Sequence, residues 1–418
     1  MSALSDALAR VPPSVRRGEP TVWTNPHRRP AGEVMDGLEV STADVSEARR
    51  LWARAAPLLA RLFPELEATA GRIDSALVPV SPTIAAQLGT GATVLVKTDH
   101  ALPVTGCIKA RGGIFEVLWY AFEVARSLGF DGDDTAVLAN AEWQARFADF
   151  TVLVGSTGNL GFSVGLAARA LGFAAEVHMS ADAKLWKKDR LRRLGVRVVE
   201  HEGDYTTAVA AARAEAASTP RSHFVDDESS RHLFVGYAAA ADDLAQQLRE
   251  AGIVVDAAHP MQVYLPCGVG GAPGGVTLGL KQVWGDAVRC VFVEPVQSPS
   301  MLVQLAAGPG NPISVYDAGL TNDTVADGLA CASASALSAR IMAPLLEGVS
   351  TVSDAAMLAW VRRLWTDNGM RLEPSAAAAF EACAMAAGAA RSEQVATHLI
   401  WTTGGALLPD DVFASLLQ

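Results

Sequence analysis

Residues 262–285 read QVYLPCGVGGAPGGVTLGLKQVWG. A short apolar run ending at Pro266 has the length and residue types of a strand, and the residues from Val276 onward have those of a helix. Between them, CGVGGAPGG places Gly268, Gly270, Gly271, Gly274 and Gly275 within nine residues. Glycine lets the main chain approach a ligand closely, and successive N–H groups at a helix N-terminus make a cradle for an anion. A phosphate suits it. The turn is not a Walker A loop, because no Gly-Lys-Ser/Thr follows, and Pro273 takes the place of the third glycine of G-x-G-x-x-G. A nicotinamide-dependent dehydrogenase is therefore disfavoured. The competing reading is a tight structural turn, for which five glycines are more than needed.

The same order of strand, turn and helix recurs on both sides. Thr93–Lys97 (TVLVK) leads into TGCIKARGG and the helix that follows; Thr151–Val154 leads into GSTGNLG and FSVGLAARALG. Ala175–Met179, VRVVE, HFVDD, VRCVFVEP and THLIWTT supply further strands, the last stopped by Gly404-Gly405. This alternation predicts an α/β fold with two open, twisted, mostly parallel sheets flanked by helices. The expected division is a large ligand-binding domain from 76–115 and 241–418, with a small domain, 116–240, inserted into it. Residues 1–75 read as a helical extension packed on the large domain, with Pro57 and Pro64 as breaks.

The chain has 418 residues, half of them apolar, and 34 Lys+Arg against 45 Asp+Glu give a net charge of −11. That balance, without a basic stripe, argues against a nucleic-acid partner. The five cysteines (Cys107, Cys267, Cys290, Cys331, Cys383) are scattered and form no CxxC, so neither a disulfide framework nor a zinc cage is expected. The N-terminal stretch has no sustained apolar core, and the Ala-rich run at 376–390 is interrupted by Glu381 and too short to span a bilayer. A cytoplasmic, monomeric or dimeric protein acting on small molecules, with no membrane partner, is the expectation.

Ligands of open parallel sheets sit at the carboxyl ends of the strands. Lys109 lies in such a place, and its neighbours Cys107, Ile108 and Ala110 are expected to lower the amine's pKa and expose a nucleophile. In GSTGNLG, Ser156, Thr157 and Asn159 add polar groups that could hold a carboxylate; simple N-capping is the equal alternative. An amine beside a phosphate cradle and a carboxylate cradle suggests pyridoxal 5′-phosphate.

These motifs carry a resemblance. TGCIKARGG resembles the S-x-S-[IF]-K-x-R motif of fold-type II pyridoxal-phosphate enzymes (the tryptophan synthase β-like fold), GSTGNLG their asparagine loop and CGVGG their phosphate loop. Within that group the chain is most similar to the bacterial D-serine dehydratases (D-serine ammonia-lyases). The similarity runs through LVKTDHALPVTGCIKARGGIFEVL, VHMSADAKLWKKDRLRRLGV, DDESSRHLFVGY, TVADGLA and RLEPSAA, nearly the whole chain. It implies that Lys109 binds the cofactor covalently, Asn159 its 3′-oxygen, the backbone of Gly268, Val269, Gly270 and Gly271 its phosphate, and Thr403 its pyridine nitrogen. It also implies conversion of D-serine to pyruvate and ammonia, with D-threonine slower. Thr157 is then the expected acid/base on the face opposite Lys109, and Asp226 or Asp227 the expected contact to the substrate's hydroxyl or amine. Glu294 is the expected ligand of a monovalent cation, K⁺. Thr105 and Cys107 depart from the serines of the motif, and substrate preference or rate is what that departure bears on. An L-serine or L-threonine dehydratase, or a non-catalytic binding protein on this fold, are the alternatives. His100, His178 and His232 have no partners at metal-ligand spacing and read as structural or surface residues.

Overall fold

The computed structural model describes residues 3–156, 158–181, 183–203, 205–388 and 395–418. Eleven strands among them form two sheets. The larger runs β1-β10-β9-β8-β11-β3-β2, from β1 (Thr21–Thr24), β2 (Leu77–Pro79), β3 (Thr93–Thr98), β8 (Met261–Pro266), β9 (Val288–Pro295), β10 (Gly348–Val352) and β11 (Thr397–Thr402). The smaller runs β6-β5-β4-β7, from β4 (Thr151–Gly155), β5 (Ala174–Ser180), β6 (Arg197–His201) and β7 (Ser222–Val225). Only β1 and β2, at the two edges of the large sheet, run antiparallel to their neighbours. The α/β class with two mostly parallel sheets is as the sequence pattern predicts.

The reason is visible in the burial of the strands. Central β8, β9 and β11 are buried on almost every residue, as strands covered by helices on both faces must be. Edge strand β1 instead alternates between half-buried and exposed positions. Eight helices matter here: α1 (Thr42–Leu62), α2 (Phe115–Ser127), α3 (Asn159–Leu171), α4 (Tyr205–Ser218), α5 (Arg231–Ala238), α6 (Gly271–Trp284), α7 (Ser300–Ala307) and α8 (Pro374–Ala387). None of the helices in the described residues is long and apolar enough to cross a membrane.

The N-terminal segment differs from a purely helical extension. TVWT at 21–24 pairs with β10, Val22 opposite Ser350, and so extends the large sheet. Nor does Pro57 break its helix: α1 runs through it as one 21-residue element. Proline removes the N–H that the Ala53 carbonyl would accept. The helix persists because Val45, Ala48, Ala55, Leu58 and Leu59 form one buried face, and because a reciprocal cap at Ser41 and Asp44 fixes its start.

The glycines of the opening motif divide into two groups. Gly268, Gly270 and Gly271 border an open cleft. Gly274 and Gly275 lie inside α6, where it meets α5 backbone to backbone. A Cβ on Gly275 would stand 2.2 Å from the carbonyl oxygen of Phe234, and one on Gly274 2.7 Å from its ring. So two of the five serve close helix packing rather than an anion.

Candidate active site

A cleft of about 990 Å³, part of it open to solvent, lies at the carboxyl ends of β8 and β11 and of small-sheet strand β4. Its lining includes Lys109, Ser156, Asn159, Asp227, the Gly268–Gly271 turn, Glu373 and Thr403.

Lys109 arrives on the loop after β3, just before a π-helical turn at Ala110–Ile114. Two contacts fix that loop to the end of β11: Ile108 N–H donates to Thr403 O at 2.8 Å, and Cys107 and Gly404 form an isolated antiparallel bridge. Two residues on, Arg111 is locked in place. Its guanidinium donates to both oxygens of Asp99, at 2.7 and 2.9 Å, and reaches Asp74 and Asp243. Trp401 Nε1 and Ser75 Oγ donate to the same Asp99. The lysine therefore projects from a rigid base.

The Lys109 amine lies 3.0 Å from Asp227 Oδ2 and 3.3 Å from Oδ1. This overturns the expected lowering of its pKa. Burial does act in that direction and is the largest single influence. The Asp227 carboxylate, the Tyr237 phenolic oxygen and the hydrogen bond to Asp227 together outweigh it, and the amine is held above its ordinary value. The apolar neighbours counted in the sequence surround the loop, while the charge facing the amine comes from a turn 118 residues away.

The anion seat is Gly268–Gly271, at the start of α6. Gly270 has φ +107°, and a Cβ there would meet Met301 Cε at 2.4 Å. The helix leaves directly from Gly271, so unpaired N–H groups and the positive end of the helix dipole face the cleft. Thr403 brings a further unspent group. Its Oγ1 is buried, lines the same cleft, and has no hydrogen-bond partner among the described residues. A buried hydroxyl without a partner is costly, which marks a place for a ligand atom.

On the side of the small sheet, Ser156 Oγ accepts from Gly161 N–H at 3.0 Å and Gly158 N–H at 3.3 Å. It thus shapes the turn into α3 and keeps its own proton for the cleft. Asn159 Nδ2 donates to Glu373 Oε1 at 3.2 Å. Burial pushes the Glu373 carboxyl up, against which Lys187 and Asn159 act. Thr157 lies outside the described residues. Lys187, between β5 and β6, pairs with Asp327, which lines the cleft.

Several sequence expectations are relocated. Asp226 does not line the cleft; it accepts from Arg213, Ser229 and the Glu228 N–H and closes its own turn, leaving Asp227 at the lysine. Thr105 and Cys107 are buried behind the lysine loop, where Cys107 Sγ sits 3.4 Å from Thr105 Oγ1 and 3.8 Å from Ser163 Oγ. Neither borders the cleft, so their departure from serine changes packing under the loop rather than contacts to a substrate. Glu294 is wholly buried, accepting from Met301 N–H at 2.7 Å and Leu302 N–H at 3.0 Å. Burial pushes its carboxyl up to about 8, and no ion pair reaches it among the described residues. His178 does have carboxylates within reach, from Glu176 and Glu215. Glu373, Cys331 and Ser375 line the cleft without having been singled out. RLEPSAA and TVADGLA were signals for their neighbourhood, but nothing in the residues alone turns Glu373 toward Asn159.

Comparison with known proteins agrees with this geometry. Residues 75–404 match the family model described as pyridoxal-phosphate dependent enzyme. A protein of Acidovorax sp. (strain JS42) named probable D-serine dehydratase is 53% identical, with 96% of this chain and 94% of that one covered. One of Rhizobium etli (strain CIAT 652) with the same name is 49% identical, over 97% and 94%. Among solved structures, diaminopropionate ammonia lyase from Escherichia coli in complex with D-serine superposes with a TM-score of 0.73 at 20% identity, over 96% of this chain and 97% of that one. The processed form of threonine deaminase isoform 2 from Solanum lycopersicum gives 0.63 at 19% identity, over 96% of each chain. At those identities the two structures show a shared fold.

Proposed function

We propose that this chain, which belongs to the pyridoxal-phosphate dependent enzyme family, converts D-serine to pyruvate and ammonia by β-elimination, with D-threonine a slower substrate. The observation that carries the proposal is identity of about half, over nearly the full length, to relatives named probable D-serine dehydratase. The cleft fits the cofactor on its own terms. Lys109, the Gly268–Gly271 seat and the unpaired Thr403 hydroxyl border one space, and they answer an aldehyde, a phosphate and a ring nitrogen respectively.

In this reading Lys109 holds the cofactor, the N–H groups of Gly268, Val269, Gly270 and Gly271 its phosphate, and Asn159 its 3′-oxygen through the amide proton not given to Glu373. The bound cofactor supplies the electron sink that makes the substrate's Cα–H acidic. Thr403 meets the ring nitrogen with a neutral hydroxyl, which does not favour a full positive charge there. That suits elimination, in which the leaving hydroxyl carries charge away. Ser156 and the N-terminal end of α3 hold the substrate carboxylate. Asp227, released from the amine once Lys109 is engaged, binds the substrate's hydroxyl or amine.

The deciding experiment is a coupled pyruvate assay on D- and L-serine with cofactor added. D-serine is expected to turn over at least about 10²-fold more efficiently than L-serine, the scale that a polar contact specific to one stereoisomer provides. Preference for L-serine would assign the chain to the L-dehydratases instead. Glu294 is the candidate ligand of a monovalent cation: its carboxyl is wholly buried and no cationic side chain reaches it among the described residues, so a bound cation would supply the charge that lets it ionise near pH 7. Replacing K⁺ by a tetraalkylammonium salt in the same assay should slow the wild type, and equal rates would remove that role.

Asp227→Asn makes a separate test of the amine. With the opposing carboxylate gone, the Lys109 pKa should fall toward its ordinary value. Its neutral, aldehyde-reactive form would then persist to lower pH. The pH midpoint for capture of pyridoxal phosphate by the apoprotein, followed by loss of free-aldehyde absorbance, should therefore move down. An unchanged midpoint would mean that Asp227 does not control the amine.

A further inference from the structure

We propose that Glu176, His178 and Glu215 form a binding site for a zinc-type divalent cation on the α4-covered face of the small sheet. Glu176 and His178 are two residues apart on β5 and so share a face, and Glu215 descends on them from α4. One ligand atom from each lies within 4.8 Å of the other two. His178 Nε2 is 3.7 Å from Glu215 Oε2 and 4.0 Å from Glu176 Oε2. Bonds to zinc of about 2.0–2.2 Å would bring such atoms to roughly 3.4 Å apart, a small closure.

The histidine itself points to a ligand. Its side chain is wholly buried, and Nε2 has no hydrogen-bond partner among the described residues although two carboxylates face it. At 3.7 and 4.0 Å those oxygens are too far to accept a hydrogen bond. The other ring nitrogen is engaged, with Nδ1 2.8 Å from His201 Nε2. If Nδ1 carries the proton and donates it to His201, Nε2 presents a lone pair to the carboxylates. That is the arrangement of a metal-binding imidazole braced by an outer hydrogen bond.

One nitrogen and two carboxylate ligands suit a borderline ion such as Zn²⁺ better than Ca²⁺ or Mg²⁺, which take oxygen alone. The competitor within the protein is Arg197. Its Nη1 lies 2.8 Å from Glu176 Oε2 and 3.4 Å from Glu215 Oε1. With 61% of its side chain exposed, it can swing into solvent as the cation enters. The bound ion would tie α4 to β5 on the face of the small sheet away from α3, outside the cleft described above.

The test is titration of the cofactor-loaded full-length protein with ZnCl₂, followed by calorimetry and by thermal unfolding. The wild type should bind one Zn²⁺ per chain at this site and melt at a higher temperature with it. Glu215→Gln, at a partly exposed position that the fold tolerates, should lose that equivalent and the shift in Tm. Arg197→Ala should bind Zn²⁺ more tightly than the wild type, because the competing cation is gone. His201→Phe should bind it about 10–100-fold more weakly, the usual effect of losing an outer partner. Zinc binding and a Tm shift in Glu215→Gln equal to the wild type's, or no stoichiometric binding by the wild type, would overturn the site.

Discussion

Lys109→Ala is expected to lower pyruvate formation from D-serine by about 10⁴-fold or more, the combined loss of a covalent anchor and a proton-transfer group. No other amine lines the cleft among the described residues; Lys187 stands at its edge, already paired with Asp327. The substitution leaves the Arg111 network and the backbone contact from Ile108 to Thr403 untouched. Folding should therefore be preserved, and an unchanged circular dichroism melt of the apoprotein is the control. Retention of a tenth or more of the wild-type rate would remove Lys109 from the chemistry.

Arg111→Ala should have the largest effect on stability, about 3–5 kcal/mol, the cost of removing one partner from a buried charge pair. Asp99 is wholly buried, and the Arg111 fork is its bidentate cation. Burial by itself would raise the Asp99 pKa; the opposing charge of Arg111 keeps it low. Without the guanidinium, Asp99 is left as a charge in the interior with only Ser75 and Trp401 as donors and Lys97 as its other cationic neighbour. Urea denaturation of the apoprotein measures the loss. Asp99→Asn combined with Arg111→Met should recover much of it, because the wholly buried carboxylate is then gone and the charge left without its partner, Asp243, is partly exposed. A loss below about 1 kcal/mol for Arg111→Ala would place the pair in the class of weakly coupled surface bridges.

The contrast between these two residues shows what sequence could convey. The eight strands read from β-branched runs all occur; those central to the large sheet are buried on both faces and so are written almost entirely in apolar residues, whereas β6 and β7 are only half-buried. The three not read are β1, β2 and β10. Two are edge strands of three or four residues whose pairing is set by tertiary contact, and GVSTV at 348–352 is polar enough to pass for a loop. Lys109 was legible from its motif, but the direction of its pKa was not, because Asp227 acts on it from a distant turn. His178, read from the sequence as structural or surface, in fact shares one strand face with Glu176 two residues away. Its third partner, Glu215, comes from a helix whose packing no local pattern discloses.

The tie between the loop at 107–108 and the end of β11 has a mechanical consequence. It joins, through main chain alone, the point where a cofactor would be tethered and the group that would meet its far nitrogen. Those two anchors cannot shift relative to each other without breaking that bridge and the hydrogen bond from Ile108 to Thr403. Any adjustment of a bound ring would then have to come from the cofactor's phosphate arm and from side chains, not from this main-chain frame. The enzyme can thus let its cofactor pivot while its own frame stays still.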